Sequence, residues 1–295
     1  MSHHHQYPHN DDSTGGIRLA FFLNLGFTLL EFVGGYWTNS LAIVSDALHD
    51  LGDSFSLGMS WYLERLSKKG VDKRFSYGYR RFSLLAALIN TVILLVGGIL
   101  IISRAIPRLI HPEHSNAQGM LVFAILGILV NGIAVLRLRG GQSLNAQVVA
   151  WHLLEDVLGW AAVLVVSLVL LFTDIHILDP LLSILITAYV MWNVLRNLRK
   201  TTSIFLQAVP ENYDIGAIEV RLLEMENVMS VHHTHLWSLD GQHHVLTAHI
   251  VVDPCTTREQ VLKLKQDINT LTGELELEHT TLEIEYDDED CRMRE

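Results

Sequence analysis

Two pairs of the form His-x-x-x-Asp stand in stretches that are otherwise apolar. His49 and Asp53 lie in "DALHDLGD" (46–53), and His152 and Asp156 lie in "WHLLED" (151–156). Residues four apart share one face of a helix, so each pair presents an imidazole and a carboxylate one turn apart. Two such pairs facing each other supply four ligands, the tetrahedral number that zinc prefers. A charge at mid-bilayer costs about 2.5 kcal/mol or more. A divalent cation between the pairs would offset that cost. One pair alone is also compatible with a buried hydrogen-bonded couple or, less so, a proton relay; the repeat of the spacing favours a metal.

The register leaves alternatives. Asp46 and Asp50 are also four apart, giving a competing carboxylate pair. Asp46 precedes His49 by three and is expected to orient an imidazole from behind the ligands. Asp50 and Glu155 are turned away from the ligand face and are expected at an aqueous entrance or against neighbouring polar groups. Two imidazoles with two carboxylates point to Zn²⁺ first, with Cd²⁺ and Co²⁺ as plausible passengers and Fe²⁺ still open. Imidazole, with an ordinary pKa near 6.5, accepts either a proton or a metal. Metal binding releases protons. A site opening alternately to the two sides would exchange outward metal for inward protons.

Long apolar elements must position these residues. Only 18% of the 295 residues are charged, against about 25% in a typical soluble domain. Runs 84–102 and 117–136 carry no charge, and 180–195 is a shorter uncharged run. Residues 17–38 contain Glu31, 41–64 contain the first His/Asp group, and 146–173 contain the second. Six spans of about 20 residues follow. Loop 65–81 holds Arg65, Lys68, Lys69, Lys73, Arg74, Arg80 and Arg81. Arg137, Arg139, Arg196, Arg199 and Lys200 end the fourth and sixth spans. That bias puts both termini in the cytoplasm.

The chain is not uniform. Residues 1–207 hold 15 Lys/Arg and 13 Asp/Glu, whereas 208–295 hold 6 and 19, a net of −13. The expected organisation is a disordered tail over 1–16, a transmembrane domain over 17–207 and a cytoplasmic domain over 208–295. The histidine-containing tail shows no signal-peptide pattern. The acidic part disfavours nucleic-acid binding, which needs positive charge. Two cysteines, Cys255 and Cys291, make no disulfide framework. Cys291 is a weaker candidate metal ligand.

Residues 208–295 read as helix, strand, strand, helix, strand, with the hairpin turn at Asp240-Gly241. The fold class is therefore a membrane α-helical bundle of six transmembrane helices with a C-terminal α+β (αββαβ) cytoplasmic domain. Alternation places His233 and His235 on one face of the first strand and His232 on the other. His232, His249 and His279 are the candidate ligands of a cytoplasmic metal site, with Asp287 a further possibility. The sheet's other surface offers a dimer contact.

These residues carry a resemblance to the cation diffusion facilitator family. The matching stretches are "SLAIVSDALHDLGD" (40–53), "YGYRR" (77–81), "SLNAQVVAWHLLEDVLGW" (143–160), "VHHTHLWSLDGQHHVLTAHIVV" (231–252) and "HTTLEIE" (279–285). The resemblance implies a homodimer that exports divalent metal from the cytoplasm against protons. It implies zinc as cargo, with His49, Asp53, His152 and Asp156 as ligands and His232, His249 and His279 at a cytoplasmic site near the dimer interface. The chain departs from the pattern at Asp50, Glu155 and Ser83, where the family usually has an apolar residue, a small one and a Glu. Arg81 matches the basic residue of a charged interlock between protomers, but "FLQAVP" (205–210) lacks the acid. The short loop 137–145 has no histidine-rich insert, which points to a bacterial or archaeal inner membrane. Rival readings are an Fe²⁺ or Mn²⁺ exporter of the same architecture and a membrane-anchored metal sensor without transport. A metalloprotease is disfavoured because no HExxH is present.

Overall fold

The order of elements follows the hydropathy pattern. In the computed structural model the described backbone covers residues 12–67, 72–138, 144–289 and 291, and the side chains of 12–20, 60, 61, 64, 65, 67, 137, 138 and 144–152 lie outside the described residues. Six long helices come first: α1 (Asp12–Thr38), α2 (Leu41–Ser67), α3 (Phe82–Ile110), α4 (Ala117–Leu138), α5 (Leu144–Phe172) and α6 (Leu178–Phe205). The helix α1 starts within the stretch expected as tail; residues 1–11 lie outside the described residues. Among the described residues, four helices (α3, α4, α5 and α6) are long and apolar enough to cross a membrane. The other two carry acids within their apolar runs, Glu31 on α1 and Asp46, Asp50 and Asp53 on α2, and α5 and α6 add Glu155, Asp156 and Asp179.

The helical region is apolar outside and polar within, the reverse of a water-soluble protein. Val96, Ile99 and Leu100 of α3, and Val122, Leu129 and Ile133 of α4, are exposed. Glu31, Asp46, Asp50, Asn131 and Asp156 are buried. Lipid supplies no hydrogen bonds, so polar groups turn inward and apolar ones outward. Small residues let the helices meet. At Gly127 a Cβ would fall 2.2 Å from the Trp160 ring, so α4 lies against α5. At Gly35 it would fall 2.6 Å from Val44 Cγ2. The start of α2 is capped by Asp179 of α6, whose oxygens accept from Leu41 N at 2.9 Å and Ala42 N at 3.3 Å. A carboxylate there also complements the helix dipole.

The C-terminal part contains α7 (Ile215–Leu223), β1 (Val228–Ser238), β2 (His244–Val252), α8 (Arg258–Glu274) and β3 (His279–Tyr286). Asp214 caps α7, and Thr257 with Gln260 forms a capping box on α8. The sheet order is β1-β2-β3, antiparallel between the first pair and parallel between the second. Ile218 and Leu222 of α7 and Leu264, Ile268 and Leu271 of α8 form one core with Leu236, Leu246 and Ile250 of the sheet. By contacts the chain divides into two units, and residues 66–85 group with 199–295 rather than with the other helices.

Candidate metal centres

The first centre joins α2 to α5. His49 Nε2 lies 3.7 Å from Asp53 Oδ2, one turn along, and 3.9 Å from Asp156 Oδ1 across the helix interface. Two ligand atoms on one tetrahedral zinc are about 3.3 Å apart, so His49 stands within a few tenths of an ångström of sharing an ion with either carboxylate, whereas the three together do not yet close to that spacing. Asp156 is buried, while His49 and Asp53 stay partly open at 26% and 31% side-chain exposure. That combination gives an anchored ligand and an approach route. The side chain of His152 lies outside the described residues.

Further acid surrounds this trio. Asp46 is 5% exposed; its Oδ2 has no hydrogen-bond partner among the described residues. A Cβ on Gly159 would meet Asp46 Oδ1 at 3.5 Å, so Asp46 faces α5. Asp50 is equally buried. Glu31 is fully buried on α1, with Asp50, Asp46 and Asp156 as acidic neighbours. Its sequence signal was plain, a lone carboxylate in a span, but nothing in the spacing tied it to α2.

The second centre is on the sheet. His232, His249, Glu285 and Cys291 each offer a ligand atom, all within 4.8 Å of one another. Strand register brings His232 opposite His249. Glu285 Oε1 meets His249 Nδ1 at 2.5 Å, and its Oε2 lies 3.5 Å from His232 Nε2. The Cys291 thiol closes the group, 3.5 Å from His232 Nε2 and 3.7 Å from His249 Nδ1. Burial alone would raise the Glu285 pKa. Hydrogen bonds from Cys291 and His249, and the charges of His249 and His232, outweigh it and hold the carboxyl below its ordinary value. Two imidazoles, a thiolate and a carboxylate suit Zn²⁺ and its softer neighbours.

Comparison with known proteins covers both parts of the chain. Residues 17–206 match the cation efflux transmembrane domain, and residues 210–286 match the cytoplasmic domain of cation efflux proteins. The chain belongs to the cation diffusion facilitator family. Among its relatives is the zinc transporter ZitB of Escherichia coli (strain K12), 32% identical over all of this chain and 96% of that protein. The metal cation efflux system protein CzcD of Cupriavidus metallidurans is 32% identical over 95% of this chain and 89% of its own length. A cadmium, cobalt and zinc/H(+)-K(+) antiporter of Bacillus velezensis is 30% identical over 94% and 91%.

In this cation diffusion facilitator the expected residues distribute unevenly. His49 lies close to both Asp53 and Asp156, and His232 lies beside His249. His279 does not join its expected partners. It opens β3 opposite Val245, whereas His249 lies opposite Glu283 four residues on, about 13 Å along the strand. Its ring instead packs edge-on against Tyr77 at 5.3 Å. Glu285 takes the carboxylate position; the alternation in "LEIEY" carried that signal. Glu155 accepts a hydrogen bond from Tyr189 on α6 at 3.2 Å and stands exposed, away from the trio. The simple alternation of β1 also fails. A bulge falls between His232 and His235, with His233 at φ 52°. Bulges re-aim side chains, and here His232 and His233 both lie 5.2 Å from the His249 ring.

Proposed function

We propose that this protein is a Zn²⁺ exporter that exchanges cytoplasmic metal for protons by alternating access. The observation that carries the reading is the position of His49 between Asp53 on its own helix and Asp156 on α5, inside an outwardly apolar bundle. His152 completes the quartet in this reading. Asp46 orients the imidazoles, and Asp50, expected at an aqueous entrance, is instead buried beside Glu31. Protonation of the imidazoles and carboxylates on the acidic side releases the metal, because metal and proton compete for the same lone pairs. The names of the relatives, a zinc transporter and a zinc/H(+)-K(+) antiporter, support both cargo and coupling.

In the same proposal α1 and α2 also cross the bilayer, giving six spans. Their acids are tolerated because they face the bundle interior. Both termini then lie in the cytoplasm, and the membrane is a bacterial inner membrane. The chain works as a homodimer, with the 208–295 domain contributing the contact and the His232/His249/Glu285/Cys291 cluster binding regulatory Zn²⁺. A sensor without transport is the second reading, favoured by that cluster alone.

Metal flux recorded together with internal pH in proteoliposomes separates the two. Zinc entry should drive proton exit in the wild type. Asp156→Ala should lower flux about 100-fold while leaving the cytoplasmic cluster able to bind. Binding without flux in the wild type would favour the sensor, and unchanged flux in the variant would remove Asp156 from the pathway.

A further inference from the structure

A cavity of about 350 Å³ lies apart from both metal centres, between the α2–α3 connection and the C-terminal sheet. Its wall includes Arg74, Arg80, Arg81, Tyr77, Phe82 and Trp237. All of these belong to the unit formed by residues 66–85 and 199–295.

Three guanidinium groups around one cavity need anions, and the protein supplies few. Arg80 Nη2 pairs with Glu278 Oε1 at 2.9 Å. Its Nη1 is buried and has no hydrogen-bond partner among the described residues. Buried donors are almost always satisfied, so the Arg80 guanidinium is left under-compensated by acceptors of the protein itself. The nearby acid Asp72 is spent on its own loop. Asp72 Oδ1 accepts from Arg74 N and Phe75 N, both at 2.8 Å, and Oδ2 accepts from the Tyr79 hydroxyl at 2.7 Å. Among the described residues, Arg81 forms no ion pair. Residues 205–210 offer no carboxylate to it.

The chemistry of the wall narrows the ligand. Planar guanidinium forks bind phosphate oxygens in pairs, better than lysine ammonium does. Tyr77, Phe82 and Trp237 supply an apolar border of the kind found where one end of a ligand is greasy and the other wet. The loop runs directly into α3 at Phe82. Given that α3 crosses the bilayer, Arg81 stands near the depth of the lipid head groups, where cytoplasmic anionic lipids attract basic side chains.

We infer that Arg74, Arg80 and Arg81 form a binding pocket for a phosphate group, with Trp237 in its wall. The phosphate comes either from an anionic phospholipid head group or from a soluble phosphate compound. The pocket joins the α2–α3 connection to the sheet domain, so its ligand would brace one against the other. The inference needs only membrane insertion of α3 and stands whether or not the protein moves zinc.

The test uses the full chain. Delipidated protein in neutral detergent is titrated with phosphatidylglycerol or with inorganic pyrophosphate, and bound ligand is counted by native mass spectrometry. One site per chain is expected. Arg74→Gln combined with Arg81→Gln should weaken binding at least about tenfold, and raising salt from 0.05 to 0.5 M should weaken it severalfold. Both substitutions leave the Arg80–Glu278 pair in place, and zinc binding at the sheet cluster reports whether the variant is folded. Arg80→Gln should produce the same loss. Saturation by phosphatidylglycerol alone identifies a lipid head group. Saturation by pyrophosphate identifies a soluble ligand. Equal binding by the folded variant and the wild type, or no saturable binding of either probe, overturns the assignment.

Discussion

The two metal centres differ in how single side chains are prepared for a cation. In the bundle, Asp156 is buried and His49 is partly open, so under the proposed function one ligand would wait and the other receive. On the sheet, Glu285 is already held by His249 and Cys291, so an arriving metal replaces existing hydrogen bonds. Cys291→Ser should therefore weaken zinc binding at the sheet about 10- to 100-fold, since the thiolate is the strongest donor of the set; chelator competition measures it. The depressed Glu285 pKa also fixes a pH dependence. Its stabilising contribution is fully present above the unfolded value of about 4.3 and is lost as pH falls through the lower folded value. Thermal melts of metal-free protein between pH 6 and 3 should show this acid limb, and Glu285→Gln should flatten it.

Helices and strands set the spacing between those side chains. The start of α2, which carries His49 and Asp53, is held by Asp179 at the start of α6. Asp179→Ala removes that cap and should cost about 1–2 kcal/mol, read as a lowered melting temperature in detergent. The α4–α5 contact depends on Gly127, because Trp160 is fully buried and cannot retreat. Gly127→Leu should destabilise by about 1–3 kcal/mol through overpacking. If it also lowers flux at a temperature where the protein remains folded, α5 has shifted Asp156 away from His49. On the sheet, the bulge at His233 does the positioning. A strand without it would turn His233 away from His249.

At the scale of the molecule, polarity divides the chain. Both cysteines lie after residue 207, so they report the side on which the sheet domain sits. A membrane-impermeant maleimide should label exposed Cys255 in inverted vesicles and fail to label it in right-side-out ones. Zinc should protect Cys291 and leave Cys255 reactive. The reverse sidedness would invert the proposed direction of export.

Periodicity and polarity are local properties, and the sequence by itself determined what depends on them. The long helices, the αββαβ order and the candidate status of His49, Asp53 and Asp156 all follow from residues within a few turns of one another. The tertiary structure alone decided which distant groups meet. It set Asp156 against His49 across α2 and α5, brought Cys291 back over His232, and put Glu285 rather than His279 beside His249. These choices depend on strand register, on a one-residue bulge and on the close approach of helices at small residues. A single misplaced residue in any of them turns a side chain to the opposite face, and no periodic pattern along the chain records it.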